Sequence, residues 1–272
     1  MTTFNRIIDN RREKYQELKG LSDAGIYNDF IGCGGLYLAA EMVRKMDLKK
    51  GDIVLDLGCG KGETSIYLAK NFGVTVVGVD YWNPAEQLQE RALSNGLSDK
   101  IVPLQIDITQ SIPFNENHFD AIFCMNSLFM FCENKEFLDR LVATLKVGGT
   151  LCVGSECFNI EPGFTSIEDV PFAYNFDWYW KVWEECYSKY HSPIWWKSHL
   201  GSIAALEITY CEELEDGRAL FEDFAKNYDN YISKSIRDIN AVVPKSMIVD
   251  QIEYGAKSGL YPTLYILTGI KI

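Results

Sequence analysis

The chain has 272 residues, and its 26 Lys and Arg against 38 Asp and Glu give a formal net charge of −12 at pH 7. This length is enough to bury the core of one large domain, and the acidic balance excludes the basic patch that a nucleic-acid surface needs. No stretch approaches the roughly 18 apolar residues of a membrane span, and the first residues lack the apolar core of a signal peptide. We therefore expect a cytoplasmic, single-domain protein (residues 1–272), monomeric or homodimeric, whose partner is a small molecule rather than nucleic acid or membrane.

The cysteines and histidines give no sign of a metal site. The eight cysteines form no C-x-x-C pair, and most lie in apolar runs such as IFCMN and TLCVG, where a free thiol packs as a small hydrophobe. The three histidines are scattered along the chain. We predict buried, reduced thiols and no bound metal.

The first 50 residues precede the main motif. Mixed charge and apolar spacing in residues 1–20 predict an amphipathic helix that ends at Gly20. Residues 27–35 form an aromatic and glycine-rich loop, and the periodicity of Leu36 to Met46 predicts a helix.

The next segment combines a buried strand with a glycine turn. Residues 53–57 are apolar and rich in β-branched side chains, as in a parallel strand, and Gly58, Gly60 and Gly62 follow at alternate positions. Glycines there let the backbone turn sharply and approach a ligand closely. Helical periodicity then covers residues 63–72.

A second strand, residues 74–79, ends in Asp80. Strand, glycine turn, helix and strand ending in an acid make the nucleotide-binding half of a doubly wound α/β fold, in which that acid reaches the ribose hydroxyls.

The identity of the nucleotide depends on the residues that flank the turn. A dinucleotide fingerprint needs glycine at position 63, but this chain has Glu63 there. Asp56 and Glu63 place a carboxylate on each side of the loop, and these two charges would repel a phosphate. A cationic ribose ligand without phosphate, such as S-adenosyl-L-methionine (SAM), suits the loop better. LDLGCGKG and VVGVD resemble the first and second motifs of the class I SAM-dependent methyltransferases. The alternative is an α/β domain with a tight turn and no nucleotide.

A second resemblance lies in the loop before the first strand. Residues 27–35 resemble the entrance segment of the phosphoethanolamine and sarcosine/dimethylglycine methyltransferases, where a loop that ends in Gly-Gly crosses the methionine part of SAM. The resemblance implies that Tyr27, Ile31 and Gly32 help to close the cofactor site. The alternative is a plain helix-capping loop.

The residues after the second and third strands face the expected adenine. Tyr81 and Trp82 offer a flat aromatic face. The third strand, residues 100–106, ends before Asp107 and Ile108, and the resemblance implies that an acid here accepts from the adenine amino group.

The fourth strand, residues 119–125, delivers Asn126 to the ligand edge of the sheet. The phosphoethanolamine enzymes carry a histidine a few residues past this strand, where this chain has Phe131, so the resemblance brings neither that base nor that substrate. We predict these cofactor contacts: Tyr27, Ile31, Gly32, Asp56, Gly58, Gly60, Gly62, Asp80, Tyr81, Asp107, Ile108 and Asn126.

An aromatic insertion follows the fifth strand, predicted at residues 150–155 after a helix at 133–147. Residues 157–200 hold five of the six tryptophans. With residues 1–35 they would form a lid over the site, although the rings could equally just pack the insertion onto the domain. The predicted substrate-pocket residues are Phe131, Trp178, Trp183 and Trp195.

The remaining elements are a sixth strand at residues 203–210, helices at 215–240 and 245–258, and a seventh strand at 261–270. This order matches the antiparallel seventh strand of the family. We predict a Rossmann-like, doubly wound seven-stranded sheet, mostly parallel, with the insertion as a lid.

Methyl transfer from a sulfonium mainly requires alignment of donor and acceptor, and a base only when the acceptor must lose a proton. The candidates for that base are Tyr27, Glu156, His191 and His199. We expect SAM-dependent methylation of a small N, O or S acceptor, with an amine slightly favoured because aromatic faces attract cations. The alternative is a non-catalytic SAM-binding protein, while Glu63 disfavours an NAD-dependent oxidoreductase.

Overall fold

The computed structural model describes residues 14–19, 32–166, 169–170, 189–235 and 245–272. Its strands form one seven-stranded sheet in the order β3-β2-β1-β4-β5-β7-β6. All neighbours are parallel except β7, which runs antiparallel to both β5 and β6. The predicted fold class is confirmed. The strands are β1 (Ile53–Leu57), β2 (Thr75–Asp80), β3 (Ile101–Gln105), β4 (Phe119–Met125), β5 (Leu145–Phe158), β6 (Leu206–Glu213) and β7 (Pro262–Lys271).

Helices cover both faces of the sheet, and each face has its own apolar core. Alternate residues of a strand point to opposite faces, so Val54 of β1 belongs to one core and Leu55 to the other. Helices α1, α2, α3, α6 and α7 contribute to the first core and α4 and α5 to the second. The helices are α1 (Gly35–Val43), α2 (Glu63–Phe72), α3 (Ala85–Ser94), α4 (Lys135–Ala143), α5 (Pro193–Leu200), α6 (Gly217–Ser235) and α7 (Lys245–Ser258).

Two strand boundaries differ from the sequence prediction. β5 begins at Leu145, which already pairs with Phe119 of β4, and it continues to Phe158 because β7 pairs with it from Thr150 to Phe158. β6 begins at Leu206 rather than residue 203, since the Leu206 N–H closes a turn onto the Ile203 carbonyl before the strand starts. Strands that are distant in sequence therefore set the limits of β5, whereas a local turn sets the start of β6.

Polar side chains join the ends of strands that are neighbours in the sheet. Asp120 of β4 accepts from the backbone N–H of Ile53 at 2.9 Å, which fixes where β1 begins. Lys271, near the end of β7, donates from Nζ to Asn117 Oδ1 at 3.1 Å and to the Ala143 and Leu145 carbonyls at 2.8 and 2.7 Å. The seventh strand is thus joined to the turn that leads into β5.

Parts of the predicted lid lie outside the described residues. Of residues 1–35 the structure describes 14–19, which contain a short 3-10 turn at Gln16–Leu18, and 32–35. Of residues 157–200 it describes 157–166, 169–170 and 189–200. Within the described part of the chain, no helix combines the length and apolarity needed to cross a membrane.

Candidate active site

The glycine turn lies at the carboxyl end of β1, directly against the end of β4. Gly58 has a φ of 74°, and a β-carbon there would meet Ser127 Oγ at 2.3 Å, so both backbone and space require glycine. The Ser127 hydroxyl donates to the Leu57 carbonyl at 2.8 Å, and the Gly58 N–H donates to the Val79 carbonyl at 2.8 Å. The turn is therefore held by its neighbours on both sides.

Asp56 is buried and binds the first turn of α2, directly after the glycine turn. Its side chain is 1% exposed, and Oδ2 accepts from the hydroxyls of Thr64 and Ser65, each at 2.6 Å. Burial raises the pKa of Asp56 from 3.8 to about 6, an effect that the two hydroxyl bonds partly oppose and the nearby Asp80 charge adds to. Its observed partners are the first residues of α2, so the predicted cofactor contact of Asp56 stays a prediction.

Asp80 ends β2 and arranges the backbone around the expected ribose. Oδ2 accepts from the Gly60 N–H at 2.9 Å, while Oδ1 accepts from the N–H groups of Trp82 and Asn83 at 2.9 and 2.7 Å. A β-carbon added to Gly60 would meet no atom within 4 Å, so the outer side of the turn is open. Asp80 thus fixes the shape of the ligand-facing loops.

The expected adenine side carries exposed rings and a partly used carboxylate. Tyr81 and Trp82 are 62% and 64% exposed. Asp107 Oδ1 accepts from the N–H and hydroxyl of Thr109 at 3.1 and 2.6 Å, and no described residue donates to Oδ2. Ile108 is buried beside it. An acceptor and an apolar contact therefore lie together beyond β3, as the resemblance implies.

The short segment 32–34, which precedes α1, is fastened to the ends of β4 and β5. The Cys33 N–H donates to Glu156 Oε1 at 2.9 Å, and the Cys33 carbonyl accepts from Asn126 Nδ2 at 2.9 Å. A β-carbon on Gly32 would meet Asn126 Nδ2 at 2.4 Å, so only glycine fits there. These contacts bring Gly32, Asn126 and Glu156, three residues singled out from the sequence, into one place.

Asn126 has two further features of a ligand-binding residue. Its φ of 53° is unusual for a residue other than glycine, and such strain is common at functional sites. Its Oδ1 is buried without a hydrogen-bond donor among the described residues. A buried acceptor at the ligand edge calls for a donor from the ligand.

The candidate bases in the described part of the chain all have partners. Glu156 uses its second oxygen, Oε2, to accept from the Tyr190 hydroxyl at 2.5 Å. His191 Nδ1 lies 2.8 Å from Glu161 Oε1, and His199 Nε2 lies 2.7 Å from the Cys132 carbonyl. The fourth candidate, Tyr27, lies outside the described residues. The assignment of a base stays a prediction.

The predicted substrate pocket is described only in part. The indole of Trp195 stacks on the rings of His191 and His199 at 3.6 and 4.4 Å between centroids, so these imidazoles compete with an acceptor for its faces. Phe131 packs edge-on against Phe137 of α4 at 5.2 Å. Both assignments stay predictions. Trp178 and Trp183, like Ile31, lie outside the described residues.

The structure gives roles to residues that were not among the predicted contact residues. Ser127, Thr64 and Ser65 hold the glycine turn, and Tyr190 completes the contacts of Glu156. Hydroxyl residues next to a glycine turn and at a strand end were the available signal. The cysteines in the described part are free thiols, and no described group of His, Cys, Asp or Glu could hold a metal ion.

The polar atoms along this edge fit SAM. The cofactor presents hydrogen-bond donors at its ribose hydroxyls, its adenine amino group and its ammonium group. Acceptors at the corresponding strand ends are Asp80, Asp107 Oδ2 and Asn126 Oδ1, the last of which is buried and unsatisfied. The Glu63 carboxylate is paired with Arg91, so its charge is balanced by a protein partner.

Comparisons with known proteins agree with this geometry. A family model described as a methyltransferase domain matches residues 54–149. Phosphoethanolamine N-methyltransferase 1 of Arabidopsis thaliana is 32% identical over 161 residues, which cover 57% of this chain and 31% of that protein. The match thus spans about a third of the length of this curated relative.

Solved structures share the fold over most of the chain. Phosphoethanolamine N-methyltransferase 2 of Haemonchus contortus, solved in complex with SAM, has a TM-score of 0.65 at 16% identity and covers 100% of this chain and 60% of its own. The cyclase SpnF has a TM-score of 0.64 at 21% identity and covers 86% and 79%. Such identities establish the fold alone. Together with the matched family model and the curated relative, the shared fold supports a class I methyltransferase domain with S-adenosylmethionine as its cofactor.

Proposed function

We propose that the protein transfers the methyl group of bound SAM to a small-molecule acceptor, and that this acceptor is an amine. The observation that carries the proposal is the coincidence of the methyltransferase domain match with an acceptor-lined sheet edge, where Asp80, Asp107 and Asn126 follow three different strands. SAM supplies an already activated methyl group at its sulfonium. The chain has to bind the cofactor, orient the acceptor and exclude water.

The hydrogen bonds made by the described base candidates indicate which kind of acceptor the protein can methylate. Glu156, His191 and His199 each hold another part of the protein. An amine attracted as its ammonium ion can release that proton to solvent and react through the lone pair of its neutral form, so the transfer step itself needs no protein base. The described residues therefore favour alignment of such an acceptor over base catalysis.

Aromatic rings near the strand ends support an amine. Phe129 follows β4, and its ring meets that of Tyr190 edge to face at 5.4 Å, next to Glu156. Ring faces attract cations by about 0.5–2 kcal/mol, and a net charge of −12 concentrates cations near the protein. The name of the Arabidopsis relative, an N-methyltransferase, points in the same direction, whereas other relatives are named as O-methyltransferases.

A second candidate function uses the same site without methyl transfer. The cyclase SpnF shares this fold by its TM-score of 0.64, so the fold can serve another activity. A non-catalytic SAM-binding protein belongs to the same alternative. We further propose a cytoplasmic location, a monomer or homodimer, and a lid formed by residues 1–35 and 157–200.

Cofactor binding is tested first, by titration calorimetry with SAM. Asp80→Ala removes a charged acceptor and the bonds that shape the loop, so we expect SAM affinity to fall by about 1.5–3 kcal/mol, or roughly 10- to 150-fold. Asp47→Ala is the matched control, since Asp47 is 91% exposed and lies in the surface turn before β1. Equal affinity in Asp80→Ala and the wild type would refute this binding mode.

Turnover is tested with methyl-labelled SAM and pairs of acceptors of similar shape, one cationic and one neutral, at rising salt. The proposal expects label transfer with release of S-adenosylhomocysteine, a preference for the cationic member, and loss of that preference as salt screens the charges. A faster neutral member, with no salt effect on the cationic one, would contradict the amine. SAM binding without any transfer across a metabolite library would favour the second candidate.

A further inference from the structure

Glu156 joins two parts of the protein that are far apart in sequence. It lies near the end of β5, and its Oε1 accepts from the backbone N–H of Cys33 at 2.9 Å. Its Oε2 accepts from the hydroxyl of Tyr190 at 2.5 Å. One carboxylate thereby fastens both the segment 32–34 before α1 and the segment 189–192 before α5.

The bond to Cys33 matters because Cys33 is fully buried. A buried N–H without an acceptor destabilises its segment, and a carboxylate is the strongest acceptor that a side chain offers. The carbonyl of the same residue accepts from Asn126 Nδ2 at 2.9 Å, so Cys33 is held from both sides. Moving Cys33 would therefore also move the amide of Asn126.

That amide carries the unsatisfied acceptor of the site. Asn126 Oδ1 is buried and has no described donor, while Nδ2 is committed to Cys33. The bond from Nδ2 fixes which way the amide faces, and hence where Oδ1 lies. A chain of contacts runs from Tyr190 through Glu156 and Cys33 to this acceptor.

We propose that Glu156 is a positioning residue rather than a base: it couples segment 189–192 to segment 32–34 and, through Cys33, sets the cofactor-facing amide of Asn126. This inference rests on the proposed function for its role in catalysis, but the coupling itself needs no cofactor. Both oxygens of the carboxylate are engaged in holding backbone and hydroxyl donors, which is the work of a positioning group.

The chain offers a matched control in Glu161, which lies in the insertion. Glu161 accepts from the N–H and hydroxyl of Ser192 at 2.9 Å each and lies 2.8 Å from His191 Nδ1. It thus holds the same segment 189–192 as Glu156 does, but no described contact joins it to Cys33. Removing Glu161 should loosen segment 189–192 around Ser192 while the bond between Tyr190 and Glu156 stays in place.

Hydrogen exchange on the full-length protein without cofactor tests the coupling. Glu156→Ala and Tyr190→Phe should both speed exchange of the Cys33 amide, by more than tenfold for Glu156→Ala. Glu161→Ala should speed exchange chiefly around Ser192 and less at Cys33, because it leaves the bond between Tyr190 and Glu156 in place. Tyr190→Phe keeps the ring beside Phe129 and so remains informative if Glu156→Ala folds poorly. Unchanged exchange at Cys33 in Tyr190→Phe, or an equal effect from Glu161→Ala, would overturn the coupling.

A double-mutant cycle on SAM affinity tests the consequence for the site. Tyr190→Phe should weaken SAM about three- to tenfold, as expected for loss of one hydrogen bond, and should add nothing in the Glu156→Ala background. Glu156→Gln should restore most of the affinity, since its carbonyl can accept from Cys33 and its amide can donate to the Tyr190 oxygen. Additive effects would refute action through Glu156. A wild type that fails to bind SAM would instead refute the proposed function and leave the exchange result standing.

Discussion

The buried carboxyl of Asp56 should make the stability of the protein depend on pH in a way that Asp56→Asn removes. Its pKa is raised from 3.8 to about 6, chiefly by burial, against the opposing effect of the Thr64 and Ser65 hydroxyls. A raised carboxyl pKa favours the protonated form in the folded state. The stabilising contribution is therefore complete below pH 3.8 and is lost as pH rises through 3.8 to about 6.

The size of the effect follows from the shift. A difference of about 2.2 pKa units corresponds to about 3 kcal/mol lost between low pH and neutral pH. Roughly half of this, about 1.4 kcal/mol, is lost between pH 5 and pH 7.5. An amide does not titrate, so the free energy of unfolding of Asp56→Asn should gain about 1.4 kcal/mol on that of the wild type over this interval.

Urea denaturation of both proteins at pH 5, 6 and 7.5 measures this difference, and all other titrating groups cancel because they are common to both chains. Asp120→Asn is the control. Burial acts to raise the pKa of Asp120, but the Ile53 N–H and Lys146 outweigh it and lower that pKa below 3.8, so its contribution changes only at more acidic pH. Parallel pH profiles of Asp56→Asn and the wild type would refute the reasoning.

Two further substitutions test the packing of the glycine turn and the hydrogen bonds at the end of β7. Gly148 has a φ of 80° and open space around it, so Gly148→Ala should lower the free energy of unfolding by ~1–2 kcal/mol. Gly58→Ala should lower it by more, because a positive φ is combined there with a clash against Ser127. Equal shifts in the urea midpoint would contradict the close approach. Lys271→Met keeps the stem of the side chain but removes three hydrogen bonds, and should lower the free energy of unfolding by about 1–3 kcal/mol. Lys49→Met, which is mostly exposed, should change it by less than about 0.5 kcal/mol.

The sequence predicted the sheet and its ligand edge well because those features are encoded locally. Apolar runs mark β1 and β2, the alternate glycines mark the turn between strand and helix, and an acid ends β2. The antiparallel β7 followed from the family resemblance rather than from periodicity. The errors lie at the limits of β5, where pairing with β4 and β7 decides which residues join the sheet, and at the start of β6, where a local turn precedes the strand.

The side-chain partners in the site were less predictable. Cys33 and Glu156 are 123 residues apart in sequence, and nothing near either residue encodes their hydrogen bond. Trp195 fitted an aromatic pocket by composition. In the structure its ring stacks on His199, four residues later on helix α5, and on His191, which lies in the segment before that helix. Such partners become visible only when the fold brings the segments together.

An acid at the carboxyl end of a strand is commonly interpreted as a ligand contact, and this structure shows a second use for it. Asp80 accepts from the backbone of Gly60, Trp82 and Asn83, and Glu156 accepts from the backbone of Cys33. In both places the carboxylate holds backbone N–H groups of a loop at the carboxyl edge of the sheet. An Asn or Gln at either position would keep one acceptor but lose the charge that lets a single group hold several donors. The same residue type can therefore shape the loops around a cofactor and bind it, and the two roles separate only when the bonds of the ligand-free protein are known.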